Sequence, residues 1–257
     1  MRVPADLEGL TELLMSGGFV AADEEAAELI AAAAGDQARL DAMVVRRQTG
    51  EPLAWITGSA EFCGRWFRVD PGIYVPRWQS EPLARRAVER LPEGGVAIDL
   101  CTGCGAIAAT LLAERPNARV VASDVDANAV ANAKANGVEA YEGDLFAPLP
   151  PELHERTDVV VGVVPYVPTP SLALLQRDTF TFETPLAYDG GADGTDFLRR
   201  AITDGRRFLK RGGALLLELG GAQAEALHGE LATLGYVDVT VLRDEDDDVR
   251  GIEATAA

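Results

Sequence analysis

Three carboxylates and two closely spaced glycines are the residues through which this chain could do chemistry. Residues 96 to 106, Val-Ala-Ile-Asp-Leu-Cys-Thr-Gly-Cys-Gly-Ala, make an apolar run that carries Asp99 and enters a turn built on Gly103 and Gly105. Nineteen residues beyond Gly105, a second apolar run from Arg119 ends in Asp124. Two carboxylates thus fall at the carboxyl ends of what read as adjacent parallel strands, which is the layout of a nucleoside site. Glycines admit a ligand that a Cβ would exclude, and Asp124 can accept hydrogen bonds from both hydroxyls of a ribose. Asp144, in Glu142-Gly-Asp-Leu-Phe after a third strand, is placed to accept from an adenine amino group.

A dinucleotide fits these residues poorly. The turn of a hydride-transferring dehydrogenase carries a third glycine where this chain has Ile107-Ala108, and Asp99 would oppose the charge of a pyrophosphate. S-adenosyl-L-methionine, with a sulfonium, an amino group and no phosphate, suits an acidic turn better. Cys101 and Cys104 form a C-x-x-C inside the same turn, and beyond them the chain has Cys63, His154 and His228. None of these has ligand spacing, so small side chains that permit a tight loop are favoured over a zinc or redox pair, and no metal site is expected.

The elements that must position these groups follow from the hydrophobic pattern. Apolar strands at Val96–Leu100, Arg119–Ser123, Val138–Tyr141, Asp158–Val164, Ala214–Leu219 and Val237–Leu242 alternate with helical stretches, which predicts a doubly wound, mostly parallel α/β sheet. The segment Asp244-Glu-Asp-Asp-Asp is too short for a crossover helix, so Arg250–Thr255 should return as an antiparallel strand and form a reversed edge. Residues 1–60 read as a small helical domain, with Leu7, Leu10 and Leu14 at helical spacing. Residues 61–78 read as a β-hairpin linker around Gly64, and residues 79–257 as the α/β domain.

Composition narrows the class of function. With 41 acidic against 23 basic residues the formal charge is −18, which repels phosphate backbones and anionic lipid, so neither nucleic acid nor membrane is expected as a direct partner. The N-terminus lacks the apolar stretch of a secretion signal, and a cytoplasmic location is expected.

Taken together, several stretches resemble the class I S-adenosylmethionine-dependent methyltransferases, and more narrowly the protein-(glutamine N5) methyltransferases that modify peptide chain release factors. They are Gly50-Glu-Pro-Leu-Ala-Trp-Ile-Thr-Gly-Ser-Ala-Glu-Phe-Cys-Gly, Val75-Pro-Arg, the run Asp99 to Ala106, Gly143-Asp-Leu-Phe, Glu183-Thr-Pro-Leu-Ala-Tyr-Asp-Gly-Gly-Ala-Asp-Gly, and Leu209-Lys-Arg-Gly-Gly-Ala-Leu-Leu-Leu-Glu-Leu-Gly. The resemblance implies a seven-stranded Rossmann-like sheet and S-adenosyl-L-methionine as cofactor. Asp99 and the residues Cys101, Thr102, Gly103, Cys104 and Gly105 would surround its methionine part, Asp124 its ribose, and Asp144 with Leu145 its adenine. It also implies a protein substrate, a release factor, with the helical N-terminal domain helping to recognise it.

The family's active-site signature is Asn-Pro-Pro-Tyr at the end of the fourth strand. This chain has Val163, Val164, Pro165 and Tyr166 there. By the resemblance all four would contact the substrate, with Pro165 and Tyr166 catalytic, but the Asn that accepts an amide hydrogen is absent. The Pro76-Arg77-Trp78-Gln79-Ser80-Glu81 segment also departs from the family's Pro-Arg-Pro pattern, and Trp78 reads equally as a packing residue beneath the sheet edge or a substrate contact. Three functions remain open on these residues: glutamine methylation of a release factor, methylation of another amine or small molecule, and cofactor binding without catalysis.

Overall fold

The computed structural model describes residues 3–175 and 181–257. Four helices come first: α1 (Leu7–Ser16), α2 (Ala22–Ala33), α3 (Gln37–Gln48) and the short α4 (Leu53–Thr57). Asp6 and Asp36 begin α1 and α3 by accepting from the N–H groups of Gly9 and Arg39, donors that a first helical turn leaves unpaired. Leu10, Leu14, Ala26, Leu29, Leu40 and Val44 pack into a core of their own. Helix α4 faces two ways. Ile56 belongs to that core, while Trp55 joins the core of the sheet and donates its indole N–H to the Ile73 carbonyl at 2.8 Å.

The hairpin around Gly64 is β1 (Ser59–Phe62) paired antiparallel with β2 (Arg65–Arg68). Beyond it run α5 (Glu81–Arg90), β3 (Val96–Leu100), α6 (Ala106–Glu114), β4 (Arg119–Asp124), α7 (Ala127–Ala135), β5 (Glu139–Glu142), β6 (Thr157–Gly162), α8 (Asp196–Phe208), β7 (Leu209–Glu218), α9 (Gln223–Thr233), β8 (Tyr236–Arg243) and β9 (Val249–Ala256). The larger sheet has seven strands in the order β5-β4-β3-β6-β7-β9-β8, and β5 through β7 are parallel. This is the doubly wound, mostly parallel arrangement expected from the sequence.

Alternation along the strands supplies two buried faces. Ala97, Val120, Ala122, Val159, Val161 and Leu216 pack with Leu83, Leu111 and Ala133 from α5, α6 and α7. Ile98, Leu100, Val121, Val160, Leu215 and Leu217 pack with Leu198, Ile202, Leu227 and Leu231 from α8 and α9. Strand order reverses between β3 and β6, so the loops after these two strands diverge to opposite sides and leave a crevice at their carboxyl ends.

One expectation is corrected. The reversed strand β9 is antiparallel to both β7 and β8 and lies between them, so the edge is β8. Burial explains the choice: Ile252, Ala254 and Ala256 of β9 are at most 1% exposed, whereas Val237 and Val241 of β8 are 44% and 38% exposed. Even the charged Glu253 in β9 is buried, matched by Arg86 and Arg90 from α5. Among the described residues no helix is long and apolar enough to cross a membrane.

Candidate active site

Asp99 shares the face of Ala97 and lies beneath the start of α6, 1% exposed. Its Oδ2 accepts from the Thr102 hydroxyl at 2.6 Å and from the Ala108 N–H at 3.2 Å. The 101–105 loop and the first turn of α6 are thereby tied to one carboxylate. Burial pushes that carboxyl up to about 7, outweighing the two hydrogen bonds, and Asp124 adds to the rise.

Just before Thr102, Cys101 adopts a left-handed backbone, φ 54°, an unusual conformation for a residue with a Cβ. The Gly103 N–H donates to Asp124 Oδ2 at 2.9 Å, the Asp126 N–H donates to Oδ1 at 3.0 Å, and the Thr102 N–H donates to the Ser123 carbonyl at 3.1 Å. The end of β4 is therefore stitched to the glycine loop. At φ +85° a Cβ on Gly105 would lie 3.0 Å from the Cβ of Ala133 on α7, so this glycine also lets the loop pack closely on that helix.

Burial raises the pKa of the Cys101 thiol first, and the charges of Asp124, Asp99 and Asp144 raise it further while Arg200 lowers it. Burial likewise pushes Cys104 up to about 12. Both cysteines are free and held as thiols, which disfavours a reactive C-x-x-C. Asp144 stands exposed at the rim, paired with Arg200 of α8 at 2.6 Å, while Leu145 beside it is buried with φ 46°.

The second wall begins where β6 ends. Gly162 is in register with Leu100, so Val163 emerges beside Cys101. Val163 lines a cleft with Phe62, Tyr74, Pro76, Ile107 and Asp99, whereas Val164 turns to the opposite face and is 1% exposed. Neither carbonyl is taken by a hydrogen bond among the described residues. Pro165 is buried, and Tyr166 donates its hydroxyl to Glu218 Oε1 at 2.9 Å. Gly190 closes over this turn so tightly that a Cβ there would come within 2.8 Å of the Pro165 oxygen and of Tyr166 Cα.

A third group was not found by sequence reasoning. Glu183, buried between the cleft and the loop that follows the turn, accepts from Arg77 at 2.7 Å, from the Tyr188 hydroxyl, and from the Val75 N–H at 3.3 Å. Arg77 also lies 5.4 Å from the Tyr74 ring centroid. The only sequence signal was that Val75-Pro-Arg and the Glu183 segment were both family-like; their pairing spans 106 residues. Trp78 is 72% exposed, so it does not pack beneath the sheet edge.

The chemistry of these groups fits a cationic, hydroxyl-bearing cofactor. The loop is surrounded by carboxylates, Arg200 is engaged by Asp144, and the Asp124 carboxylate, with Gly103 on one oxygen and Asp126 on the other, keeps lone-pair capacity for a hydroxyl hydrogen. Among the described residues no group of three or more His, Cys, Asp or Glu could hold a metal.

Sheet order, glycine loop and terminal carboxylates define a class I S-adenosylmethionine-dependent methyltransferase. A solved methyltransferase from Pyrococcus furiosus has the same fold, with a TM-score of 0.54 at 18% identity, covering 84% of this chain and 96% of that one. Residues 79–153 match the family model of the methyltransferase small domain. The release factor glutamine methyltransferase of Geobacter sulfurreducens is 36% identical over 208 residues, 79% of this chain and 72% of that protein. A ribosomal protein uL3 glutamine methyltransferase of Burkholderia pseudomallei is 36% identical over 209 residues, 74% and 68% of the two chains. The chain belongs to the release factor glutamine methyltransferase family.

Proposed function

We propose that this methyltransferase transfers a methyl group from S-adenosyl-L-methionine to the side-chain amide nitrogen of a glutamine in a peptide chain release factor. The observation that carries the reading is the placement of Val163 beside Cys101 across the β3–β6 crevice, which lets cofactor and acceptor meet in one cleft. In this reading Asp99 and Cys101, Thr102, Gly103, Cys104 and Gly105 border the methionine end, Asp124 accepts from the ribose, and Asp144 with Leu145 borders the adenine. The helical residues 1–60 serve recognition of the protein, residues 61–78 link them to the α/β domain, and residues 79–257 carry the chemistry. A cytoplasmic location accompanies a substrate that works in translation.

The cofactor supplies an electrophilic methyl on a sulfonium. The chain's task is to make a poor nucleophile effective, because the amide lone pair is delocalised into its carbonyl. The carbonyls of Val163 and Val164, which accept no hydrogen bond among the described residues, are acceptors for an amide hydrogen, and accepting it turns the lone pair toward the donor. Phe62, Tyr74, Ile107 and Val163 line the apolar part of the cleft, while Pro165 and Tyr166 fix the turn that presents those carbonyls. Purified protein, labelled S-adenosyl-L-methionine and release factor should yield methylated glutamine by mass spectrometry; an unlabelled release factor would overturn the reading.

A second acceptor has a specific motive. Val163 replaces the amide-accepting Asn of the family pattern, and the Burkholderia relative is named for ribosomal protein uL3. Methylation of uL3 but not of release factor in parallel reactions would favour that acceptor.

A further inference from the structure

Glu218 closes β7 with a side chain that is nearly withdrawn from solvent and has no paired cation of its own among the described residues. It is 7% exposed, one oxygen accepts from Tyr166 at 2.9 Å, and the other accepts from the Ser80 hydroxyl at 2.5 Å. Arg250 acts on it only from a distance, being paired with Asp244 at 2.6 Å. A carboxylate buried against two hydroxyls costs folding free energy that an apolar side chain would not. Its two partners lie 52 and 138 residues away, one on the turn after β6 and the other in the segment before α5.

We propose that Glu218 is a positioning residue for methyl transfer, one carboxylate that holds Tyr166 and Ser80 together and so fixes the two turns that face each other across the acceptor cleft. This rests on the reading of the cleft as the acceptor site. Ser80 lines that cleft with Pro76, Arg77 and Val163. Tyr166 is held at its other end as well, its carbonyl accepting from the Gln223 amide at 2.7 Å. With hydroxyl and carbonyl both anchored, the backbone from Val163 to Tyr166 keeps one course, and the carbonyls it presents keep one direction. Tyr166 is a donor to a carboxylate, and burial together with Glu218 raises its pKa strongly, so its phenol is a fixed strut rather than a base. Small displacements of such struts move reacting groups out of line.

The test compares Glu218→Ala, Glu218→Gln, Tyr166→Phe and the Glu218→Ala/Tyr166→Phe double variant of the full chain. Glu218→Ala and Tyr166→Phe should each lower kcat for release factor by about tenfold or more, with the Kd for S-adenosyl-L-methionine changed by less than about twofold. The double variant should be no slower than the slower single one, as expected of residues acting through one contact. Glu218→Gln, whose amide oxygen still accepts from Tyr166, should recover most of the rate. In protein carrying 13Cζ-tyrosine, the resonance lost in Tyr166→Phe should move in Glu218→Ala.

A Glu218→Ala variant with wild-type turnover, a double variant whose loss is the product of the single losses, or an unmoved Tyr166 resonance would overturn the proposal. Wild-type protein that binds cofactor but leaves release factor unmethylated overturns the acceptor reading instead. The Tyr166 resonance then still decides the Glu218 contact, because it needs no acceptor.

Discussion

Gly103 donates its N–H to Asp124 Oδ2 across 2.9 Å, and this one bond makes the glycine loop after β3 and the carboxyl end of β4 a single unit. The carboxylate is oriented before any ligand arrives, because its other oxygen is held by Asp126 at 3.0 Å. A cofactor hydroxyl therefore meets an acceptor whose ordering has already occurred on folding.

Asp124→Ala should weaken binding of S-adenosyl-L-methionine by well over tenfold. It removes charge-assisted acceptors worth about 1.5–3 kcal/mol each and frees the loop that they fix. Calorimetry should find the loss, with the helical signal in circular dichroism retained. An affinity within twofold of wild type would remove Asp124 from the site.

Asp99 predicts a pH dependence with a definite sign. Its carboxyl is raised from 3.8 to about 7 in the folded chain, so the folded state keeps a proton that the unfolded chain has released. Its contribution is full below pH 3.8, declines as pH rises toward 7, and is constant above that. Asp99→Asn should flatten this part of a stability-versus-pH curve measured by denaturant unfolding. A cationic cofactor favours the ionised carboxylate, so its affinity should rise with pH up to about 7. Binding at pH 6 should release protons, measured by calorimetry in buffers of different ionisation enthalpy; no release would show that Asp99 does not sense the cofactor.

Much of this site was legible because it is local. Asp99, Gly103, Gly105 and Asp124 occur within 26 residues, and the strand pattern that carries them has a period that any reader can count. Glu183 with Arg77, and Glu218 with Ser80 and Tyr166, are partnerships across the fold, formed only when β6 and β7 come side by side. A carboxylate ending an apolar strand, as in Leu-Leu-Leu-Glu218, was the one available signal, and it is the same signal that found Asp124. The place of β9 was hidden for a related reason. A short turn specifies that two strands pair, while which of them docks on β7 depends on Ile252, Ala254 and the arginines waiting on α5.

Arg77→Met should destabilise the fold by about 2–4 kcal/mol. It leaves Glu183, whose side chain is 2% exposed, without its cation and, among the described residues, with the Tyr188 hydroxyl and Val75 N–H as its donors. Glu183→Gln combined with Arg77→Met should recover part of the loss, since the stranded charge is removed. Thermal unfolding of the two variants beside the wild type checks this. A single Arg77→Met variant that melts with the wild type would mean that the pair is not formed in solution.

Val163 offers the sharpest test of how this chain handles its acceptor. Val163 lines the cleft beside Asp99 and Cys101, and an Asn there would place a carbonyl oxygen where the chain now has methyl groups. If the acceptor is a glutamine amide, one of its two hydrogens is presently without a side-chain partner, at a cost of roughly 1–3 kcal/mol. Val163→Asn should then raise kcat for release factor by about tenfold to a hundredfold while leaving cofactor affinity within twofold. The site has room for the change, because Asn is no larger than Val and the position is half-buried rather than sealed. Adding Val164→Pro should stiffen the turn without adding an acceptor, so its separate effect on kcat should be small. If Val163→Asn slows methylation of release factor instead, the apolar wall is itself part of acceptor recognition, and the acceptor sought should be one whose nitrogen needs no side-chain oxygen at this position.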